Sequence, residues 1–407
     1  MLRLILGLSF AVKLLVLFFF HKESLSNEWF VLFDNFEKFK IYSYYTLEGQ
    51  NIPSSYMPPL YLFFLYTNKL LSFDLFNFVY LVYFVQILLS TVSVVLFYRF
   101  CNYFFDKNFS NIGALIFAFF PLVVLSTALI SSGTIQLFFY LLFLNLLMEV
   151  INNEKKINII LFSLVSVCCL LLRGEFLIIL FLSLFYIILN DKKKIKFVVA
   201  VFFSIFVIIS PYLARNYINT NKIHIVNVTG YALWKGNNHL AKVEGFHAPL
   251  HPMNREDWPD FEEFSNLYQK LDSLKINKKY EVERDKIFLK EALNNIFQDK
   301  KKYLTMYIKK IFSYFFIDTN SSLVNYYNFF HIIPVIIIAA LAIPGAFLAS
   351  LKKDKKLFCI LLIMFSLIFL ISIFFILPRY KISIIIFQIL FSLFSLNYIF
   401  VKFFKKN

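Results

Sequence analysis

The chain has 407 residues, of which 59% are hydrophobic and only 16% are charged. Soluble globular proteins average about 45–50% apolar and about 25% charged residues. This composition therefore excludes disordered, collagen-like and disulfide-scaffold proteins, as well as an ordinary soluble enzyme. The formal net charge is nonetheless +16. Such a basic excess is typical either of nucleic-acid binding or, in a membrane protein, of cytoplasmic anchoring, and the positions of the Lys and Arg residues distinguish the two.

About ten runs of the chain are apolar and long enough, or nearly so, to cross a bilayer as helices. A cleaved signal peptide is the less favoured interpretation of the first run, because no small-residue cleavage pattern follows it. The predicted spans are residues 4–20, 76–98, 112–130, 135–151, 157–172, 176–189, 197–212, 329–349, 357–377 and 382–400.

Basic residues follow every second span. Lys155 and Lys156 follow the fourth, four lysines in 192–196 follow the sixth, and four in 352–356 follow the eighth. By the positive-inside rule, these joints and both termini are expected in the cytoplasm. The charge therefore gives no support for nucleic-acid binding. The prediction is an all-α polytopic membrane protein with five parts: a first transmembrane helix (1–20), an outer loop with juxtamembrane helices (21–75), spans two to seven (76–212), a larger outer loop (213–328) and the last three spans (329–407).

Both outer loops contain segments that are expected to lie along the membrane surface. Residues 57–72 are apolar but follow Pro58-Pro59. A span there would invert the charge pattern, so we interpret them as an interfacial helix that begins at proline. In residues 283–316 apolar side chains alternate with lysines, which predicts one or two amphipathic helices on the outer leaflet. The four cysteines lie in or beside apolar runs without metal-ligand spacing, so neither disulfides nor zinc is indicated.

Two acidic residues just beyond the first span are candidate general bases. Glu28 and Asp34 are six residues apart, so on a helix they do not share a face and only one would point into a given cavity. A carboxylate at the membrane surface can deprotonate a hydroxyl. A solvated loop acid is the plainer interpretation of either residue taken singly.

Arginines at the outer ends of spans are candidate phosphate ligands. They are Arg173, Arg215 and Arg379, the last followed by Tyr380. The planar guanidinium suits phosphate, but arginines at span ends also snorkel to lipid headgroups. Arg173 can instead pair with the nearby Glu175.

The segment from Gly230 to Asn238 is a candidate sugar site. Trp234 offers a ring on which a sugar can stack, and the amides of Asn237 and Asn238 can bond its hydroxyls. An ordinary loop turn is the alternative interpretation, and the spacing alone does not decide between them.

Taken in order, these motifs resemble those of the GT-C class of polytopic glycosyltransferases, in particular bacterial relatives of protein O-mannosyltransferase and lipid A aminoarabinose transferase. The resemblance rests on the first-loop acid Glu28, on Pro58-Pro59-Leu60-Tyr61, on residues 211–217 followed by Trp234-Lys235-Gly236-Asn237-Asn238, and on Arg379-Tyr380 at the start of a late span.

The resemblance implies an enzyme that transfers a sugar from a polyprenyl-phosphate donor to an acceptor hydroxyl, carried by a lipid, glycan or protein, at the outer face of a bacterial inner membrane. Glu28 would be the general base, with Asp34 as a competing candidate. Arg173, Arg215, Arg379 and Tyr380 would hold the donor phosphate, and Tyr56, Tyr61, Trp234, Asn237 and Asn238 would contact the sugar or acceptor.

Two departures from the family pattern limit what the resemblance implies about metals. The first-loop acid is Glu rather than the commoner Asp, and residues 131–134 lack the acid that many members have there. No cofactor is therefore expected, and a divalent metal gains no support from the sequence.

A non-enzymatic flippase or transporter of a lipid-linked saccharide is the main alternative. Such a protein needs polar residues along its spans to line a path. The predicted spans contain few, mainly Lys13, Gln86, Asn145 and Gln388. This scarcity favours the enzyme, and a purely structural membrane subunit would leave the outer motifs unexplained.

Overall fold

A computed structural model describes residues 1–25, 27–47, 50–152, 156–246, 262–321, 323 and 328–404. Within these ranges the regular structure is helical apart from one antiparallel hairpin, in which β1 (Tyr45–Leu47) pairs with β2 (Gln50–Ile52) and Tyr45 lies opposite Ile52. The predicted all-α polytopic architecture is confirmed, and the hairpin is the element that hydropathy did not predict.

Side-chain caps mark several helix starts in the first half of the chain. The Asn77 side chain accepts a hydrogen bond from the backbone of Val79, and Asp106 accepts one from Phe109. These caps satisfy backbone N–H groups that have no partner in the first turn of a helix. The helices are α1 (Leu2–Phe20), α2 (Asn27–Phe39), α3 (Leu60–Leu71), α4 (Phe78–Cys101), α5 (Lys107–Phe119), α6 (Pro121–Thr127), α7 (Gly133–Asn152), α8 (Lys156–Leu170) and α9 (Phe176–Asn190).

The second half of the chain contains the predicted larger outer loop and the last predicted spans. Asp354 caps the start of α16 through the backbone N–H groups of Lys356 and Leu357. The helices are α10 (Ile195–Thr220), α11 (Thr229–Gly236), α12 (Ser265–Asp272), α13 (Tyr280–Gln298), α14 (Lys300–Phe315), α15 (Phe329–Leu351), α16 (Lys355–Ser372) and α17 (Ile385–Phe404), with a 3-10 turn at Pro378–Ser383.

The predicted number of ten spans is not confirmed, although each predicted run coincides with a helix or a helix pair. Seven helices in the described ranges are long and apolar enough to cross a membrane. The run 112–130 is broken into α5 and α6, which meet at an angle of 51°, because Pro121 begins a new helix. The runs 157–172 and 176–189 fold as helices shorter than a full span, Ile159–Leu170 and Phe176–Asn190.

The predicted surface helices are present as helices. The segment after Pro58-Pro59 forms α3, with Pro59 at its N-cap. The amphipathic region forms two helices, α13 and α14, separated by Asp299, whose side chain caps α14 at the backbone N–H of Lys302.

Two buried clusters organise the molecule. One is the apolar interior of the helix bundle, in which α15 packs so closely on α17 that a Cβ atom at Gly345 would overlap the carbonyl oxygen of Phe391. The other is rich in aromatic side chains and joins α2, the hairpin, α3, α11 and α13, with Trp29, Tyr61 and Trp234 among its members. The aromatic cluster holds the two predicted outer loops together over one end of the bundle, and a cavity lies next to it.

Candidate active site

A cavity of about 480 Å³ lies at one end of the helix bundle. Its lining comes from the start of α2, from Tyr56 and Met57, and from the segments 131–136, 173–178, 226–235 and 370–382. Helices α9 and α16 each reach this cavity with one end, and the other end of each leads to a lysine-rich joint. The cavity and those lysines therefore lie at opposite ends of the bundle.

Two carboxylates and three cations line the cavity. The carboxylates belong to Glu28 and Glu175, and the cations to Arg173, Lys235 and Arg379. Arg173 is already paired, because its Nε lies 3.0 Å from Oε1 of Glu175. Across the part of the chain that the structure describes, neither Lys235 nor Arg379 has a carboxylate within salt-bridge distance. These two cations are thus available to an anion in the cavity.

Tyr380 connects the two arginines. The guanidinium carbon of Arg173 lies 5.1 Å from the centroid of the Tyr380 ring, and that of Arg379 lies 5.9 Å from it. Both distances are within the range of cation–π attraction. The ring therefore helps to keep both guanidinium groups at the cavity wall.

Lys235 is the cation that sequence reasoning did not assign. It lies on α11, four residues after Tyr231, which also lines the cavity. Its Nζ is 4.8 Å from the centroid of the Phe375 ring. Burial lowers the pKa of Lys235, the nearby Arg379 lowers it further, and the Glu28 carboxylate raises it. Glu28, Lys235 and Arg379 therefore interact electrostatically.

Glu28 lies in the first turn of α2, beside a wall of tyrosines. The next residue, Trp29, anchors this turn through an edge contact with Tyr61, with 4.6 Å between ring centroids. Burial raises the pKa of Tyr44 to about 12, and the Glu28 carboxylate contributes to that increase. Tyr44 stacks on Tyr56 at 4.5 Å, and Tyr56 lines the cavity. The carboxylate thus faces a polar and aromatic part of the lining.

Arg215 lies behind this wall rather than in the cavity lining. Its guanidinium donates hydrogen bonds to the carbonyl oxygens of Ser54 at 2.6 Å and Tyr42 at 2.9 Å. It therefore anchors the backbone that leads to Tyr56.

A buried carboxylate on α13 holds the same backbone. Glu281 accepts hydrogen bonds from the Ser54 hydroxyl at 3.0 Å, from the Ser55 backbone N–H at 2.8 Å and from the Ser55 hydroxyl at 3.2 Å. Burial raises the pKa of Glu281 to about 7, against these hydrogen bonds and the charge of Arg215. Sequence reasoning missed this residue because nothing in its local pattern distinguishes it from the solvated acids of the same helix.

Asp34 and Tyr61 also lie outside the cavity lining. The Asp34 carboxylate pairs with Lys38, one helical turn later on α2, at 2.9 Å. Tyr61 is fully buried and donates a hydrogen bond from its hydroxyl to Oε1 of Gln86 at 3.1 Å.

The remaining predicted sugar contacts have packing roles. Trp234 is fully buried among the aromatic rings of α11 to α13. Asn237 donates to the carbonyl oxygens of Leu233 and Ile373, and Asn238 donates to that of Trp234. Gly236 packs directly against the backbone of Phe374, a cavity-lining residue, since a Cβ atom at Gly236 would overlap the Phe374 carbonyl oxygen. The motif therefore fixes α11 against the end of α16, so that Lys235 rather than Trp234 reaches the cavity.

The cavity thus collects Glu28, Arg173, Arg379, Tyr380 and Tyr56 from the predicted set. Glu175 is paired with Arg173, and no group of three His, Cys, Asp or Glu residues occurs within the described residues. Whether a divalent metal takes part is left as the sequence left it, and no step is assigned to one.

The fold with this cavity is similar to that of solved archaeal oligosaccharyltransferases. Its structural neighbours include AglB, the oligosaccharyltransferase of the archaeon Archaeoglobus fulgidus, in complex with an inhibitory peptide and a dolichol-phosphate, with a TM-score of 0.59 and 12% identity over 98% of this chain and 50% of that one. The form tethered to an acceptor peptide with the NVT sequon also gives a TM-score of 0.59, with 11% identity over 98% and 50%.

A further AglB structure, a complex with Zn and sulfate, matches with a TM-score of 0.58 and 11% identity over 98% of this chain and 49% of that one. The chain therefore spans about half the length of these neighbours, and at this level of identity the likeness concerns the fold. No family model and no curated protein matches the sequence.

Proposed function

We propose that this chain is a membrane glycosyltransferase that moves a sugar from a polyprenyl-phosphate donor to an acceptor hydroxyl. One observation carries the proposal: Glu28 shares a single cavity with the two available cations, Lys235 and Arg379, in the fold of an oligosaccharyltransferase. A cavity of about 480 Å³ is within the usual size range of small-ligand sites.

The donor phosphate is assigned to the cationic side of the cavity. Lys235 and Arg379 bind its oxygens, and Arg173, oriented by Glu175 and Tyr380, adds a third positive charge. Charge-assisted hydrogen bonds to phosphate are among the strong ones in proteins. Arg215 has a different role, since it shapes the wall at Tyr56 from behind.

The polyprenyl chain is assigned to the apolar side. Leu177 and Ile178 at the start of α9, and Leu370 and Ile371 at the end of α16, line the cavity. Leu177 and Ile178 are also exposed on the bundle, at 38% and 39%. An apolar chain can therefore leave the cavity between these two helix ends and enter the surrounding lipid.

In the proposed reaction, Glu28 takes the proton of the acceptor hydroxyl while the oxygen of that hydroxyl attacks the anomeric carbon of the donor sugar. The bond from that carbon to the phosphate oxygen breaks, and the electron pair leaves with polyprenyl phosphate, which inverts the anomeric configuration. Lys235 and Arg379 stabilise the negative charge that develops on the leaving group. Such preorganised electrostatic stabilisation is usually the largest single contribution to catalysis.

The charge pattern supports an orientation for this site. The lysine-rich joints lie at the bundle end opposite the cavity, and such joints are normally cytoplasmic. The proposal therefore places both termini in the cytoplasm and opens the cavity to the outer face of the membrane, as in a bacterial inner membrane.

The test is sugar transfer by the full-length protein in nanodiscs, supplied with polyprenyl phosphates that carry radiolabelled hexoses or pentoses and with an envelope extract as acceptor. Wild type should release polyprenyl phosphate and label the acceptor. Glu28→Gln should reduce release by at least about a hundredfold, in line with the usual contribution of a general base, whereas the matched Asp34→Asn should keep wild-type activity.

Two results would contradict the proposal. Full activity of Glu28→Gln would remove the assigned base. In proteoliposomes, movement of the intact lipid-linked sugar across the bilayer with its sugar–phosphate bond uncleaved would identify a transporter instead.

A further inference from the structure

Helices α13 and α14 each carry an exposed apolar stripe. On α13 it consists of Leu289, Leu293 and Phe297, and on α14 of Leu304, Ile308 and Phe312. Within each helix these residues are four apart, so they follow one another along one face. Phe297, Leu304 and Phe312 are 65%, 61% and 60% exposed, although all three are large apolar side chains. A face of this kind needs a partner, since exposed apolar surface rimmed by polar residues marks an interaction site.

Lysines border this stripe. Helix α14 contains five lysines and no acidic residue, and all but the buried Lys310 are exposed. At 100° per residue, Lys286 and Lys290 lie beside the stripe on α13, with Glu283 on the same side as Lys290, whereas Glu291 projects from the opposite side of that helix. The partner of this surface is therefore apolar in its centre and negatively charged at its edges.

The opposite face of α14 fixes the direction of the stripe. Tyr303, Lys310 and Tyr314 are buried there, and Lys310 donates a hydrogen bond to the carbonyl oxygen of Gly236 at 2.7 Å. Tyr307 donates to the carbonyl oxygen of Phe369 at 3.1 Å, close to the cavity end of the span formed by α16. Helix α14 thus lies beside the cavity end of this candidate span, and its stripe points away from the bundle.

We propose that the α13–α14 stripe binds anionic phospholipids of the leaflet on the cavity side of the membrane. The apolar side chains insert among the upper acyl chains, and the bordering lysines bind the headgroup phosphates, as in interfacial amphipathic helices. A second copy of the chain fits less well, because two such faces related by a twofold axis would place lysines against lysines.

The test measures how deep the stripe lies and whether that depth depends on lipid charge. A nitroxide is attached to Leu304→Cys in the full-length protein, in a Cys168→Ser background, since the other three cysteines are buried. Its collisions with oxygen, which concentrates among acyl chains, are compared with those with a nickel chelate, which stays in water. Nanodiscs of phosphatidylcholine alone are compared with nanodiscs that also contain phosphatidylglycerol. The label at Phe312→Cys repeats the measurement on a second position.

In phosphatidylglycerol discs, oxygen collisions should dominate at both positions. Replacing Lys300, Lys301 and Lys309 by Gln should lower the ratio of oxygen to nickel collisions by at least about tenfold, given the attraction of each lysine to an anionic surface. The matched variant Lys275→Gln/Lys278→Gln/Lys279→Gln removes the same charge from exposed positions before α13 and should leave the ratio unchanged.

Three results would overturn the proposal. Dominant nickel collisions in both lipids would mean that the stripe faces water. Equal burial in both lipids would mean that anionic headgroups are not recognised. Strong dipolar broadening between labels on two copies would identify the stripe as a contact between chains.

Discussion

At the scale of single residues, Lys235 and Arg379 make the donor phosphate assignment testable. Each replacement, Lys235→Gln or Arg379→Ala, removes one charged hydrogen-bonding partner. Such interactions are worth about 1.5–3 kcal/mol, or roughly 10–100-fold. We therefore expect the apparent KM for the polyprenyl-phosphate donor to rise by that factor, with a smaller change in the KM for the acceptor. Steady-state kinetics with the donor concentration varied provides the measurement.

A control for that experiment is Lys242→Gln, which removes an exposed lysine outside the cavity lining. It should leave the donor KM unchanged. An unaltered donor KM in both cavity variants would show that the donor phosphate does not bind Lys235 and Arg379. Arg173 would then be the remaining cation of the cavity that could bind it.

Glu281 gives a prediction for stability as a function of pH. Its pKa in the folded protein is about 7, against an ordinary value of 4.5, so the folded state binds this proton more tightly than the unfolded chain. The resulting stabilisation is complete below pH 4.5 and is lost as the pH rises to about 7. The contribution of Glu281 to the thermal denaturation midpoint should therefore fall across this interval. The neighbouring groups are Arg215, Tyr42, Tyr212 and His224. Burial lowers the pKa of His224 from 6.5 to about 4, so His224 adds stability as the pH rises through that range and opposes Glu281 in wild type.

The comparison for this prediction is Glu281→Gln, which removes the Glu281 contribution and leaves that of His224. The midpoint of wild type minus the midpoint of Glu281→Gln should therefore decrease from pH 4.5 to about 7. Glu283→Gln on the same helix should retain the wild-type profile. A difference between wild type and Glu281→Gln that does not change with pH would assign the pH dependence to another group.

How far the candidate site follows from the sequence depends on the kind of residue. Glu28 and Arg379 could be selected from the sequence because few charged residues lie beside the apolar runs on the predicted outer side. Both line the cavity. Trp234 and Asn237 stand out by composition alone, yet they are buried packing groups. Composition cannot show which face of a short helix such as α11 lies towards the cavity. The orientation of α11 is set by the packing of Gly236 and of the aromatic cluster, and it brings Lys235 to the cavity.

At the scale of elements, apolar runs located the helices well because a span must satisfy its own backbone hydrogen bonds. The runs could not show whether a helix is long or bent enough to cross fully, as α8, α9 and the α5–α6 pair illustrate. The hairpin Tyr45–Leu47 with Gln50–Ile52 was missed because three-residue strands carry too little periodicity. Its position is fixed by long-range contacts, such as that between Tyr45 and Arg284.

The joint between α11 and α16 gives the prediction at this scale. Gly236→Ala would place a Cβ atom against the Phe374 carbonyl oxygen, so α11 must shift. Overpacking of this kind typically costs about 1–3 kcal/mol. We expect a lower denaturation midpoint and reduced transfer activity, since Lys235 moves with α11. Gly7→Ala on α1 is the matched control, because nothing lies within 4 Å of its Cβ position. Equal behaviour of the two variants would show that this joint is not tight.

For the whole molecule, the positions of the basic residues that give the net charge of +16 predict which side of the membrane each loop faces. Lys193 and Lys353 are exposed at the bundle end opposite the cavity, and Lys278 is exposed in the predicted larger outer loop. In intact cells, a membrane-impermeant maleimide should therefore label Lys278→Cys, but label Lys193→Cys and Lys353→Cys only after permeabilisation. All three variants carry Cys168→Ser, so that no partly exposed native cysteine contributes.

The reverse labelling pattern would place the cavity in the cytoplasm and contradict the outward orientation, while leaving the cavity chemistry to the kinetic tests. Labelling of all three positions in intact cells would instead show that the lysine-rich joints do not lie on one protected side. The positive-inside rule applies most strongly to short joints, and long loops are largely exempt from it. The lysines of α14 can therefore stand on the cavity side of the membrane without weakening the assignment that the short joints support.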